Sequence, residues 1–94
     1  MITRIVKVKI KKENLKEFRN YISEFLNEVK SYANNYYADS FADLEDELNF
    51  HIYTIWNTED GLNEFRKSDI NLNFKNNITE WSSEHYSAWT VENI

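Results

Sequence analysis

Few side chains in this sequence could carry chemistry. His51 and His85 are its only histidines, and histidine is the side chain whose ordinary pKa lies near neutrality, so either could serve as a general base. Tyr53 and Tyr86 carry phenolic hydroxyls that can donate hydrogen bonds to a bound oxygen atom. Trp56, Phe65, Phe74, Trp81 and Trp89 are suited to lining an apolar pocket for a small aromatic ligand. Each has a plainer use as well. Buried histidines and tyrosines take hydrogen-bond partners wherever they sit, and aromatics at helix or strand spacing form cores. The chemistry would require the histidines to share a cavity with the aromatics.

Other chemistries are excluded by composition. There is no cysteine, so disulfides, thiolate nucleophiles and Cys-based metal sites are absent. One glycine cannot build a phosphate-cradling loop or a nucleophile elbow. Two histidines far apart in sequence make no recognisable zinc site. Sixteen acids against eleven bases give a net charge of −5, which argues against nucleic acid as a partner. The one basic cluster, Lys7, Lys9, Lys11 and Lys12, reads as a solvated strand end. No apolar run reaches membrane-spanning length and no signal-peptide pattern opens the chain, so a cytoplasmic protein without a membrane partner is expected. Ninety-four residues predict one domain, 1–94. With proline absent and a single glycine, turns and caps are expected to use Asn and Asp in the left-handed region.

Periodicity supplies the elements that would position these groups. Residues 2–10 alternate: Ile2, Val6, Val8 and Ile10 share a face, interrupted by Arg4. Asn14 and Glu17 have capping-box spacing. They precede an apolar stripe of Leu15, Phe18, Ile22, Phe25, Leu26, Val29 and Tyr32 on a long helix. A strand follows over 36–43, and then an acidic loop, Asp43 to Asn49, which lacks the ligand spacing and glycine of an EF-hand. Residues 49–56 form a strand with two apolar faces, one of Phe50, Ile52, Thr54 and Trp56, the other of His51, Tyr53 and Ile55. Thr58 and Ser68 are N-caps of two further helices, the first weakened by Gly61, the second carrying Ile70, Phe74, Ile78 and Trp81. A last strand spans 84–91, with His85, Ser87, Trp89 and Val91 on one face.

The order strand, helix, strand, strand, helices, strand is that of the split βαβ, ferredoxin-like α+β fold, with a four-stranded antiparallel sheet. Helices cover one face only. Aromatics on the other face predict a second copy packed against it, a homodimer whose two sheets close a dimeric α+β barrel. Lys7 and Lys9 would then lie at a rim.

From Phe50 to Phe74 the sequence resembles the antibiotic biosynthesis monooxygenase-like family of dimeric α+β barrels. The resemblance rests on Phe50, Ile52 and Trp56 of the strand, on Thr58-Glu59-Asp60 and Leu62 of the helix start, and on Ser68 and Phe74. It implies a cofactor-independent monooxygenase acting on a small aromatic or quinol compound. An electron-rich phenol is deprotonated in a dry pocket and passes an electron to dioxygen. Several positions depart from the family. Phe65 stands where relatives often keep a histidine, and Thr54 where they often carry a glutamate. The asparagine, tryptophan and histidine of the haem-degrading branch correspond to Lys7, Phe65 and Lys75, which disfavours haem. These departures support an alternative, a non-catalytic dimeric small-molecule-binding or stress-related protein of the same fold.

Overall fold

The computed structural model describes residues 1–94. Strand β1 (Ile2–Lys9) runs through a 3-10 turn at Lys12–Asn14 into α1 (Leu15–Lys30). Strands β2 (Asn35–Ala42) and β3 (Asn49–Trp56) follow, then α2 (Glu59–Arg66), α3 (Asp69–Trp81) and β4 (Ser87–Glu92). The sheet order is β2-β3-β1-β4, with every neighbouring pair antiparallel. This is the ferredoxin-like architecture the element order predicts.

Strand alternation sorts the sheet into two faces. Val6 and Val8 of β1, Ala38 of β2 and Phe50, Ile52 and Trp56 of β3 are buried beneath the helices. The stripe of α1 meets them with Phe18, Ile22, Phe25, Leu26 and Val29, all buried. Burying each such side chain contributes about 1.5–3 kcal/mol, so this face dominates the stability. From α2 come Leu62 and Phe65, from α3 Phe74 and Ile78.

Two caps form as expected. The Thr58 hydroxyl accepts from the Gly61 N–H at 3.1 Å, and the Ser68 hydroxyl accepts from the Asn71 N–H at 3.2 Å. Ser68 Oγ also donates to the Phe65 carbonyl at 2.6 Å, joining the end of α2 to the start of α3. The capping box at Asn14 does not form. A 3-10 turn precedes α1, and Asn14 Nδ2 donates instead to Glu17 Oε1 at 3.0 Å. Nor does any residue adopt a positive φ. The polar loops turn by other means: Asp43 Oδ1 accepts from the Glu45 N–H at 2.7 Å, and Asp46 Oδ1 from the Leu48 N–H at 3.0 Å. Asp46 also pairs with Lys9 at 3.4 Å. The Leu48 N–H first, then Lys9, hold the Asp46 carboxyl below the usual range.

Gly61 has a steric reason to be glycine. A Cβ there would fall 2.5 Å from Asn34 Cβ, and the Asn34 carbonyl is fixed by the Asn57 N–H at 2.9 Å. Helix propensity alone would favour alanine by about 1 kcal/mol, but overpacking costs about 1–3 kcal/mol. At 2.5 Å the contact falls in the upper part of that cost, so with propensity subtracted Gly61→Ala is expected to lower the unfolding free energy by up to about 2 kcal/mol in urea denaturation. Unchanged stability would show that the turn between α1 and β2 yields freely.

Candidate functional site

Between the sheet and helices α2 and α3 lies a cavity of about 270 Å³. Val6, Ile52 and Thr54 form its floor on β1 and β3, while Phe65, Phe74 and Ile78 wall it from the helices. These walls are preorganised by stacking. Phe74 lies on Phe25 of α1 at 4.2 Å between ring centroids, and Phe65 on Trp56 at 4.9 Å. Trp56 is fully buried behind Phe65, and its Nε1–H donates to Thr54 Oγ1 at 3.0 Å. The polar lining is Arg4, Arg66, Asn71, Lys75 and Tyr86, together with Thr54.

The predicted site residues divide among several places. Phe65 and Phe74 line the cavity, and Trp56 supports it from behind. Trp81 sits at the end of α3, edge-on to Tyr21 at 5.5 Å, away from the cavity. Tyr53 and Trp89 lie on the open face of the sheet, because they alternate with the residues under the helices.

Neither histidine reaches the cavity, and the two do not face one another. His51 is on the open face, paired across strands with Lys7 and Phe41. It borders a shallow hollow with Tyr37, Phe41 and Tyr53. His85 is not on a strand at all. The last strand begins at Ser87 rather than at residue 84, and His85 is exposed in the connection before it, stacked on Tyr86 at 5.2 Å. Lys7, expected to align with a pocket residue of haem-degrading relatives, also faces away from the helices, while Phe65 and Lys75 do line the cavity.

Sequence reasoning passes over Arg4 and Arg66 as functional groups. The guanidinium of Arg4 extends under the helices, where alternation calls for an apolar residue, and that interruption is the available signal. Burial first, then the nearby Arg66, push the Arg4 pKa down, with Tyr86 acting in the opposite direction. Arg4 remains charged, as arginine does throughout the working pH range.

A family model for antibiotic biosynthesis monooxygenases matches residues 1–90. The chain belongs to the antibiotic biosynthesis monooxygenase family. Solved structures agree on the fold. One, described as an antibiotic biosynthesis monooxygenase, superposes with a TM-score of 0.91 at 15% identity, covering 100% of this chain and 99% of its own. A conserved protein from Methanosarcina mazei gives 0.91 at 18% identity, covering 100% and 94%. One of unknown function from Bacteroides thetaiotaomicron gives 0.89 at 16% identity, covering 98% and 96%. No match was found among curated proteins. At these identities the family's fold is shared, and its chemistry must be argued from this chain's own residues.

Proposed function

We propose that this monooxygenase-family domain is a cytoplasmic, cofactor-independent oxygenase for a small aromatic or quinol compound bound in the cavity between the sheet and α2 and α3. The observation that carries this reading is the cavity itself: aromatic walls held by stacking, with the cations Arg4, Arg66 and Lys75 among its polar lining. An apolar chamber excludes water from a reactive carbanion or phenolate, and neighbouring positive charge favours the ionised form of a bound phenol. The electrons come from the substrate. For an anthrone, the methylene carbon becomes a carbonyl with one atom of dioxygen, and the other atom leaves as water with the two methylene hydrogens.

A second reading follows from a specific observation. No His, Asp or Glu lines the cavity, so no side chain there has an ordinary pKa suited to a general base. On this reading the domain binds an aromatic compound without transforming it. In the first reading the substrate loses its proton to solvent before it enters, and the cations hold the anion in the cavity.

Oxygen uptake with a panel of hydroquinones and anthrones decides between them. Uptake above the rate in buffer is expected, and its absence across the panel would support binding alone. The same measurement on His51→Ala and His85→Ala locates the chemistry. Retained uptake places it in the cavity, and loss in His51→Ala would move it to the open face of the sheet.

That open face carries the assembly. Tyr37, Phe41, Trp89 and Val91 are 39%, 44%, 49% and 44% exposed on it, and large apolar side chains grouped in water on one face mark an interaction surface. A homodimer closed through this face is the assembly we propose.

A further inference from the structure

We infer that the cavity carries an oxyanion subsite, in which Arg4 and Arg66 hold the carboxylate of a small aromatic acid whose ring packs against Phe65 and Phe74. This rests on the reading that the cavity is the substrate site, and it specifies the class of compound taken there.

The two guanidinium groups converge on one neutral atom. Arg4 Nη1 donates to Thr90 Oγ1 at 2.9 Å, and Arg66 Nη2 donates to the same oxygen at 2.7 Å. A hydroxyl has two acceptor positions and one donor. With both acceptor positions taken by the arginines, the Thr90 O–H can only donate outward. Two cations that share a neutral acceptor repel each other, and no carboxylate offsets them. The structure holds one ion pair, Lys9 with Asp46, and it involves neither arginine. Yet the chain has sixteen acids and a net charge of −5, so acidic residues were available. None lines the cavity, whereas Lys75 adds a third cation to the lining. An unpaired cation cluster on an acidic protein is what an anionic ligand would complete.

The fold brings this cluster together from four elements. Thr54, Arg4 and Thr90 form one cross-strand row through β3, β1 and β4. Arg66 comes from the last turn of α2, whose preceding residue Phe65 is a wall of the cavity. The charged groups and the aromatic wall therefore adjoin one another. Guanidinium forks match the planar carboxylate, which accepts paired hydrogen bonds, better than they match a single neutral oxygen. The volume of about 270 Å³ lies just below the usual range for ligand pockets, about 300–1,000 Å³, and so suits one or two rings. One carboxylate among three cations leaves positive charge over, which keeps the subsite compatible with an ionised phenol on the same ligand.

Calorimetric titration with 2-naphthoate, with its neutral isostere 2-naphthamide, and with inorganic phosphate tests the inference without requiring turnover. Naphthoate is expected to bind at least tenfold more tightly than naphthamide and more tightly than phosphate. Its affinity should be flat between pH 6 and 9, because arginine stays charged, and should weaken as salt is raised. Arg4→Met and Arg66→Met should each reduce naphthoate affinity at least tenfold and naphthamide affinity far less, since a neutral amide loses one hydrogen bond and no charge pairing. Their melting temperatures should hold or rise, since each removes one of two repelling charges; a purely structural pair would lower them. Equal binding of naphthoate and naphthamide, or an unchanged naphthoate affinity in both variants, would overturn the subsite. Phosphate binding as tightly as naphthoate would overturn its aromatic part. Naphthoate binding without oxygen uptake by any panel compound would instead sink the oxygenase reading and leave the subsite standing.

Discussion

Trp56→Ala is expected to lower the unfolding free energy by about 3–5 kcal/mol, the usual cost of truncating a buried large aromatic. Domains are stable by about 5–15 kcal/mol, so the variant should be partly unfolded well below the wild-type melting temperature. The size of the effect comes from three interactions that the truncation removes at once. The indole stacks on Phe65 at 4.9 Å, meets Tyr32 edge-on at 6.2 Å, and donates from Nε1 to Thr54 Oγ1 at 3.0 Å. Trp56 also closes the sheet: it is paired with Ile2 of β1 and Asn35 of β2, so its backbone lies where three strands meet. Trp56→Phe separates these effects. It keeps an aromatic against Phe65 but removes the N–H, and a loss of about 1–3 kcal/mol is expected from the missing donor and the smaller ring. Chemical denaturation of both variants checks the order. A Trp56→Ala loss under about 1 kcal/mol, far below the range for buried aromatics, would mean that the core collapses around the vacancy. Because Phe65 loses its support in Trp56→Ala, ligand binding in the cavity should weaken as well.

The pair Trp56 and Phe65 shows what is legible in the sequence. Alternation groups Trp56 with Phe50 and Ile52 on one face of β3, and the helix period turns Phe65 inward; both are consequences of backbone geometry, while the structure decides that this face is the one under the helices. The same rules read the apolar stripe of α1, the caps at Thr58 and Ser68, and the order of strands. Where loops decide the outcome, sequence reasoning fails. Alternation extends back from Ser87 to His85 and so predicts a strand there. But Ser82 to Tyr86 must carry the chain from α3 back toward β1, and Ser83 N–H bonds the Lys9 carbonyl there at 2.9 Å. The left-handed turns expected of Asn and Asp are not needed, since Asx turns satisfy the same backbone groups. Gly61 is legible as a cost to its helix but not as a necessity, because the contact with Asn34 joins segments far apart in sequence. The arginine pair is hidden for a similar reason. Arg4 and Arg66 meet only through Thr90, which is supplied by the far end of the chain. A single unexpected charge on an apolar face is the only trace of it, and one sequence offers no partner to complete the pattern.

The open face of the sheet yields the other large effect. Its side chains run in cross-strand rows: Asp39, Tyr53, Ile5 and Trp89 in one, Tyr37, Ile55, Thr3 and Val91 in the next. The row of Phe41, His51, Lys7 and Ser87 grows polar toward β1 and β4, consistent with Lys7 at the rim of a covered surface. Trp89 is the largest exposed side chain of this patch, and with 49% of its surface in water it contributes little to the single chain. In a two-fold dimer the same residue is buried twice. Tryptophan anchors at interfaces are worth about 2 kcal/mol or more each, so Trp89→Glu should cost about 4 kcal/mol of association and raise the dimer dissociation constant roughly 1,000-fold. The substituted carboxylates add to this by bringing like charge into a desolvated surface. Sedimentation equilibrium at micromolar concentration should show a dimer for the wild type and a monomer for Trp89→Glu, with melting by circular dichroism confirming that the variant chain folds. A wild type that sediments as a monomer would remove the dimer, and the open face would then be a surface for a different partner.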